Sequence, residues 1–408
     1  MTMDGNQVFR SPRAWIAARL GNPCAVRPEG ARGGSRRTAG AAMRGSAFVP
    51  RMAMPWAMPW VVVMLMTWAT AWATLPSGGA RAAELPVLDI AAVPYLNPEV
   101  RASYERFLMI NLPRAFALSR TGATGRYGGG GTLEQARAKA LATCAANGAT
   151  DCAIYAEDLT VVWPGRPHVD PLAVPGPLIT GSGYAFVPDQ RFIWRGPQAA
   201  RGLYVWGHGK SPAGQDLSGD QPQSYVRAFN NAGFDVVRFA RAPAGDYADN
   251  AEGWLRQALP KLRALGWRML VVGGQSRGGW NSLQMLDTPG LADAVVAVSP
   301  ASLSSSMPAA QAAEVYRITH AANAPTTRVA IAQFKGDAFV PTGMDERVSS
   351  LRIGLTGRVA ALLIIDQPAG LTGHGAGNSI DFATRFGACL LHFVVDPTPP
   401  TACSGGTN

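Results

Sequence analysis

From residue 202 onward the chain alternates two apolar patterns. Short continuous apolar runs, bounded by Gly, Pro or Asp, read as strands buried on both faces. They are G-L-Y-V-W (202–206), F-D-V-V-R-F-A (234–240), R-M-L-V-V-G-G (268–274), A-D-A-V-V-A-V-S-P (292–300), T-R-V-A-I-A-Q-F (327–334) and V-A-A-L-L-I-I-D (359–366). Between and after them lie helical segments at 222–233, 254–266, the stretch after Ser276, and 382–394. This alternation predicts an α/β fold, a doubly wound and mostly parallel sheet with helices on both faces. Just ahead of it, A-F-V-P-D-Q-R-F-I-W (185–194) reads as a hairpin.

A different pattern precedes that unit. A strand at 113–119, a glycine-rich loop, a helix at 133–146 and a second strand-like run at 152–163 predict a small α+β module. A Pro-rich stretch at 163–177 follows as a linker. The expected organisation is an extension and signal peptide over 1–82, the small module and linker over 83–181, and the doubly wound domain over 182–408.

Composition changes this picture at the N-terminus. The 408 residues carry a net charge of +10. Residues 1–51 hold nine Arg against one Asp and one Glu, and Arg81 adds one more charge. That leaves +2 for residues 84–408, so the folded part has no basic patch for nucleic acid. No charge lies between Arg51 and Arg81, and the apolar run 60–73 sits in that gap. Arg44 and Arg51 before it and Ala80-Arg81-Ala82 after it complete the plan of a cleaved secretory signal peptide. Export to the periplasm or the medium is the expectation, with no membrane span once the signal is removed. An uncleaved membrane anchor is the alternative, since the uncharged gap is long enough to span a bilayer. Residues 1–42 do not fit a signal plan, and Met43 or Met52 would be a more natural start. Beyond Cys24, the cysteines fall into two local pairs, Cys144 with Cys152 and Cys389 with Cys403. In an oxidising compartment they are expected to form two short-loop disulfides, with buried free thiols as the alternative.

Candidate chemistry centres on V-V-G-G-Q-S-R-G-G-W (271–280). Gly274-Gln275-Ser276-Arg277-Gly278 is a G-x-S-x-G string, weak alone and sharper between a strand and a helix. A dinucleotide fingerprint fails because Ser276 stands where its second glycine is needed, and a phosphate-binding loop fails because Trp280 replaces its Lys. A serine hydroxyl needs a base, and the base needs a group to orient it. His374 lies in G-L-T-G-H-G-A-G, directly after the last strand. His168 falls in the linker, His208 follows an early strand, His320 sits in a polar helix and His392 reads as a core histidine in an apolar helix. Asp337 and Asp366 both end strands; Asp337 is preferred as the acid, because it lies between the nucleophile's strand and the last one. The oxyanion donors are expected to be the N–H of Arg277 and one from W-G-H-G-K (206–210), at Gly207, His208 or Gly209.

Together, G-Q-S-R-G, W-G-H-G, G-D-A-F-V-P and G-H-G resemble the nucleophile elbow, oxyanion loop, acid turn and histidine loop of the α/β-hydrolase superfamily. The order Ser276, Asp337, His374 matches that family. The resemblance covers about residues 184–396 and leaves the N-terminal module out. The compact core is similar to esterases of the dienelactone-hydrolase type, which often carry Cys where this chain has Ser276. It implies an exported serine hydrolase of the carboxylesterase kind, acting through an acyl-enzyme on a small-molecule or polymer ester, with no metal or organic cofactor. A serine peptidase of the same fold, or a non-catalytic binding protein on that scaffold, are the alternatives.

Overall fold

The computed structural model describes residues 85–404, apart from 245–249, 303–306 and 341. The apolar run 60–73 and the small-residue site at 80–82 lie outside the described residues. Among the described residues no helix is long and apolar enough to cross a membrane.

The N-terminal module is a four-stranded antiparallel sheet in the order β2-β1-β3-β4, with β1 Arg114–Leu118, β2 Thr124–Gly128, β3 Ala153–Glu157 and β4 Thr160–Val161. Its two faces follow from the period-two alternation of β1. Ala115 and Ala117 face helix α2, Leu133–Ala146, which presents Ala136, Ala140 and Cys144 to them. Small side chains on both partners let the helix lie close to the sheet. Phe116 and Leu118 face the other way, toward helix α1, Pro98–Leu108, where Tyr104, Phe107 and Tyr155 complete an aromatic cluster. Both helices start at side-chain caps: Asn97 accepts from the Val100 N–H, and Thr132 and Gln135 form a reciprocal capping box. Cys144 is bonded to Cys152, and Cys389 to Cys403.

The second sheet has eight strands in the order β12-β11-β10-β9-β7-β8-β6-β5. They are β5 Ile179–Gly181, β6 Tyr184–Pro188, β7 Gly202–Gly207, β8 Phe234–Arg241, β9 Leu270–Gln275, β10 Ala294–Val298, β11 Ala324–Gln333 and β12 Val359–Asp366. β7 through β12 run parallel, while β5 and β6 pair antiparallel at one edge. The continuous apolar runs arise because each face is covered. Tyr204, Trp206, Val296 and Ala330 pack with helix α3, Val226–Asn231, and helix α8, Ile380–Val395. On the other face, Leu203, Val205 and Val272 meet helix α4, Ala251–Ala264. On that same face, Val295, Ala297 and Ile331 meet α5 (Arg277–Leu283), α6 (Pro308–Ala321) and α7 (Met344–Leu355).

One local expectation is corrected. The hairpin uses Ile179–Gly181 and Tyr184–Pro188, and residues 189–194 form no strand. Buried Asp189 turns the chain: its Oδ1 accepts the Arg191 N–H at 2.9 Å and its carbonyl accepts the Phe192 N–H at 3.0 Å. The Ile193 N–H then goes to the Asn230 side chain instead of a strand partner.

Because β7 and β9 to β12 run parallel, their carboxyl ends Gly207, Gln275, Val298, Gln333 and Asp366 share one edge. In open α/β sheets that is the edge where ligands bind.

Candidate functional site

Ser276 occupies the single-residue turn between β9 and α5. Its backbone holds φ 54° and ψ −118°, a left-handed conformation that a residue with a Cβ adopts only under constraint. Three main-chain bonds supply the constraint. The Ser276 N–H donates to Val298 O at 3.0 Å, and the Ser276 carbonyl accepts from the N–H groups of Trp280 (2.9 Å) and Ala301 (3.2 Å). The flanking glycines serve close approach. A Cβ on Gly274 or on Gly278 would lie far inside van der Waals contact with the Gly207 carbonyl oxygen. The end of β7 therefore crosses the turn at a distance only glycine allows.

Asp337 and His374 meet at the same edge. Nδ1 of His374 lies 2.9 Å from both Oδ1 and Oδ2 of Asp337. The carboxylate is only 1% exposed, and its Oδ1 also accepts the Phe339 N–H at 2.8 Å. A buried carboxylate needs such partners to remain charged. The guanidinium of Arg347 adds a compensating charge nearby. Burial pulls its pKa down to about 10 while the Asp337 charge opposes that shift, so it stays a cation at neutral pH. Its Nη2 donates to Pro300 O at 2.5 Å. Asp366 is exposed at the end of β12, and its Oδ1 accepts from the Gln367 side chain at 3.2 Å.

The histidine loop is tied to the turn at Ser276. Nε2 of Gln275 donates to His374 O at 3.3 Å, and the Gly373 N–H donates to Lys335 O at 2.8 Å. Nε2 of His374 is buried and has no hydrogen-bond partner, so no bond to Ser276 Oγ is formed in this state. Contacts of this kind are often long without substrate and tighten when it binds.

Gly207 ends β7, and His208 and Gly209 follow it. Gly207 is in register with Gly274 on one side and Phe239 on the other. His208 is buried, and its ring faces Arg241. The Arg241 N–H can only donate, and it lies 3.1 Å from Nε2 of His208, so the proton of that ring sits on Nδ1 and goes to Gly209 O at 2.6 Å. The His208 carbonyl accepts from Nη2 of Arg241 at 2.6 Å. A trans peptide then turns the Gly209 N–H away from Arg241. A Cβ on Gly209 would lie 3.6 Å from Cβ of Ser276, so its main chain runs alongside the serine. Arg277 is the first residue of α5, where N–H groups have no intrahelical acceptor; its guanidinium donates to Ser302 O at 3.0 Å.

The order of the eight strands, the positive-φ turn after β9 and the Asp–His contact after β11 and β12 together decide the architecture. The fold is that of the α/β-hydrolases. No family model matches the chain and no curated protein matches it. Solved structures similar to it include the acylaminoacyl peptidase of Pyrococcus horikoshii, at 11% identity over 53% of this chain and 40% of the peptidase, with a TM-score of 0.36. The esterase domain of a Rhodothermus marinus protein matches at 16% identity over 50% of this chain and 89% of its own length, with a TM-score of 0.33. An S-formylglutathione hydrolase from Agrobacterium tumefaciens matches at 18% identity over 51% of this chain and 87% of its own length, with a TM-score of 0.34. This chain thus spans less than half of the peptidase.

The remaining histidines sit elsewhere on the α/β-hydrolase frame. His168 is exposed beside Asp170, and His320 stacks on exposed Tyr316. His392 corrects its sequence reading. It is exposed on the outer side of α8 and lies 2.9 Å from Asp396, because the helical period turns Leu390, Phe393 and Val394 to the core and leaves residue 392 outside. Among the described residues no group of three or more His, Cys, Asp or Glu converges as metal ligands. Sequence reasoning missed three neighbours of the site. Arg241 braces His208, the Phe339 ring lies 4.3 Å from the His374 ring, and Gln223 links Trp206 to Asn378 at 2.7 and 3.0 Å. Phe339 lies within the G-D-A-F-V-P turn, but the role of each comes from a contact with a distant segment that no local pattern announces.

Proposed function

We propose that this chain is an exported serine hydrolase that cleaves ester bonds through Ser276, His374 and Asp337. The observation that carries this reading is the buried 2.9 Å contact of Asp337 with Nδ1 of His374, at the sheet edge where Ser276 stands on a positive-φ turn. With Nδ1 carrying its proton to the carboxylate, Nε2 is the free base. It takes the proton of Ser276 as Oγ attacks the acyl carbonyl, and later gives it to the leaving oxygen. Water then attacks the acyl-enzyme with the same base. The N–H of Arg277, at the positive end of α5, and an N–H of the loop 207–209 receive the oxyanion, with the Gly209 main chain nearest the serine. The two disulfides support the assignment to an oxidising compartment.

Fluorophosphonate labelling tests the reading. The folded protein should be labelled at Ser276, and Ser276→Ala should lose both the label and hydrolysis of p-nitrophenyl acetate. A folded protein that takes no label at Ser276 would end the proposal.

A further inference from the structure

A groove of about 580 Å³ runs between α6 and α7. Its apolar wall comes from Ala312, Val315 and Tyr316 of α6, Ile353 of α7, and Phe339 with Val340 from the turn after Asp337. The two helices touch at one end, where a Cβ on Gly354 would collide with the Thr319 side chain. They part toward their N-termini, at the edge of the sheet that holds Ser276. Polar side chains also line it, His320 and Arg358 at the closed end and Gln311, Thr342, Glu346 and Ser350 along the rest. At the open end the Arg347 guanidinium is already held by Pro300 O and by the Asp337 charge. Large apolar side chains along the groove reach solvent: Ile353 is 76% exposed, Tyr316, stacked on His320, 62%, and Phe339, against His374, 36%. The volume of the groove falls in the range of small-molecule sites.

Phe339 joins the groove to the site. It lines the groove, and its ring packs 4.3 Å from the ring of His374. Ser276 and His374 are not part of the groove wall. Nε2 of His374 must deliver a proton to the leaving oxygen, so the leaving alcohol has to lie on the histidine's side of Ser276. From His374 the way to the groove leads past the Phe339 ring. Resting on the serine-hydrolase reading above, we infer that the groove receives the alcohol portion of the substrate, and that the preferred substrates are esters of long or bulky apolar alcohols.

Two ester series with the full-length protein test this: acetates of straight-chain alcohols from ethanol to octanol, and p-nitrophenyl esters from acetyl to octanoyl. kcat/KM for the acetates should rise roughly three- to fourfold per methylene, as expected for burial of a CH₂ group. kcat should stay level across the acetates where breakdown of the shared acetyl-enzyme limits turnover. Ala312→Trp and, independently, Ser350→Trp place a ring in the groove from exposed helix positions. Relative to ethyl acetate in the same variant, each should flatten the rise. A flat alcohol series, a rise confined to the acyl series, or a slope unchanged in both tryptophan variants would overturn the inference while fluorophosphonate still labels Ser276. Loss of that label in the wild type would instead remove the hydrolase reading, and the groove's role with it.

Discussion

At the scale of single residues, Ser276 and Asp337 illustrate two costs that the fold sustains. The backbone of Ser276 lies in a region that costs about 1–3 kcal/mol, held there by its bonds to Val298, Trp280 and Ala301. Asp337 holds a buried charge next to His374 and the Phe339 N–H. Asp337→Asn keeps the shape and reverses the polarity. Its amide donates to Nδ1, which moves the imidazole proton to Nε2 and leaves no base for Ser276. kcat/KM for p-nitrophenyl acetate should then fall by about 10⁴, the size found for the same change in another Ser-His-Asp enzyme. A fall smaller than tenfold would show that Asp337 does not orient the base. A second residue-scale effect concerns stability. Burial raises the phenol pKa of Tyr104, Tyr204 and Tyr225, and Tyr204 and Tyr225 face each other at 3.0 Å. In the unfolded chain these phenols ionise near pH 10. Above that pH the unfolded state holds fewer protons than the folded one, so stability falls as pH rises. The urea midpoint should drop between pH 9 and pH 11, and Tyr204→Phe should reduce the drop. The gathering of Ser276, Asp337 and His374 at one sheet edge was legible, because each follows a strand in a glycine-bearing turn or loop. Gln223 was not, since its partner Asn378 is 155 residues away and no local pattern announces it.

At the scale of elements, legibility followed burial. The strands covered on both faces stand out as unbroken apolar runs, and α2 occupies the same residues, 133–146, that its pattern predicts. The segment after Pro188 misled because its apolar residues are buried without belonging to a strand. Phe192 and Ile193 pack into different cores, and Asp189 and Asn230 satisfy the backbone there. The contact between α6 and α7 was also hidden, and it sets two opposing effects against each other. Replacing Gly354 by Ala within a helix gains up to about 1 kcal/mol in propensity. The new Cβ, however, would overlap Cβ and both branches of Thr319, which cannot swing clear as the tip of a long side chain could. Overpacking of this kind typically costs about 1–3 kcal/mol, so the clash outweighs the propensity gain. Gly354→Ala should lower the urea midpoint with an unchanged slope. A variant as stable as the parent, or more so, would mean that the two helices part freely at this point.

At the scale of the whole molecule, the N-terminal module meets the large-sheet unit at several points: Ile193 packs in the module's core, Asn231 donates to Leu108 O, Arg227 donates to Asn111 Oδ1, and residues 221–223 form a strap. Asn111 donates to Pro222 O at 2.9 Å, and the Gln221 side chain exchanges two hydrogen bonds with the main chain of Leu112, at 2.9 and 3.1 Å. The next residue, Gln223, accepts from the indole N–H of Trp206 and donates to Asn378. Trp206 immediately precedes Gly207, and Asn378 lies four residues past His374. The module thus anchors a segment that clamps the proposed oxyanion loop and the histidine loop together. Removing the Gln223 side chain leaves the buried Trp206 N–H without its acceptor, a loss of about 1–3 kcal/mol. Where that loss falls on loop positions needed in the transition state, kcat drops roughly 5- to 150-fold. Gln223→Ala should therefore lower kcat and slow fluorophosphonate labelling while KM stays within about twofold. The double variant Asn111→Ala with Gln221→Ala, made in the full chain, cuts the strap one step further out and should change the same readouts in the same direction, by less. Gln223→Glu should recover most of the rate, since it still accepts from Trp206 and Asn378 can turn its amide to donate. If the double variant lowers Tm yet leaves kcat and the labelling rate at parental values, the module stabilises the fold without positioning the site, and the strap is only a joint.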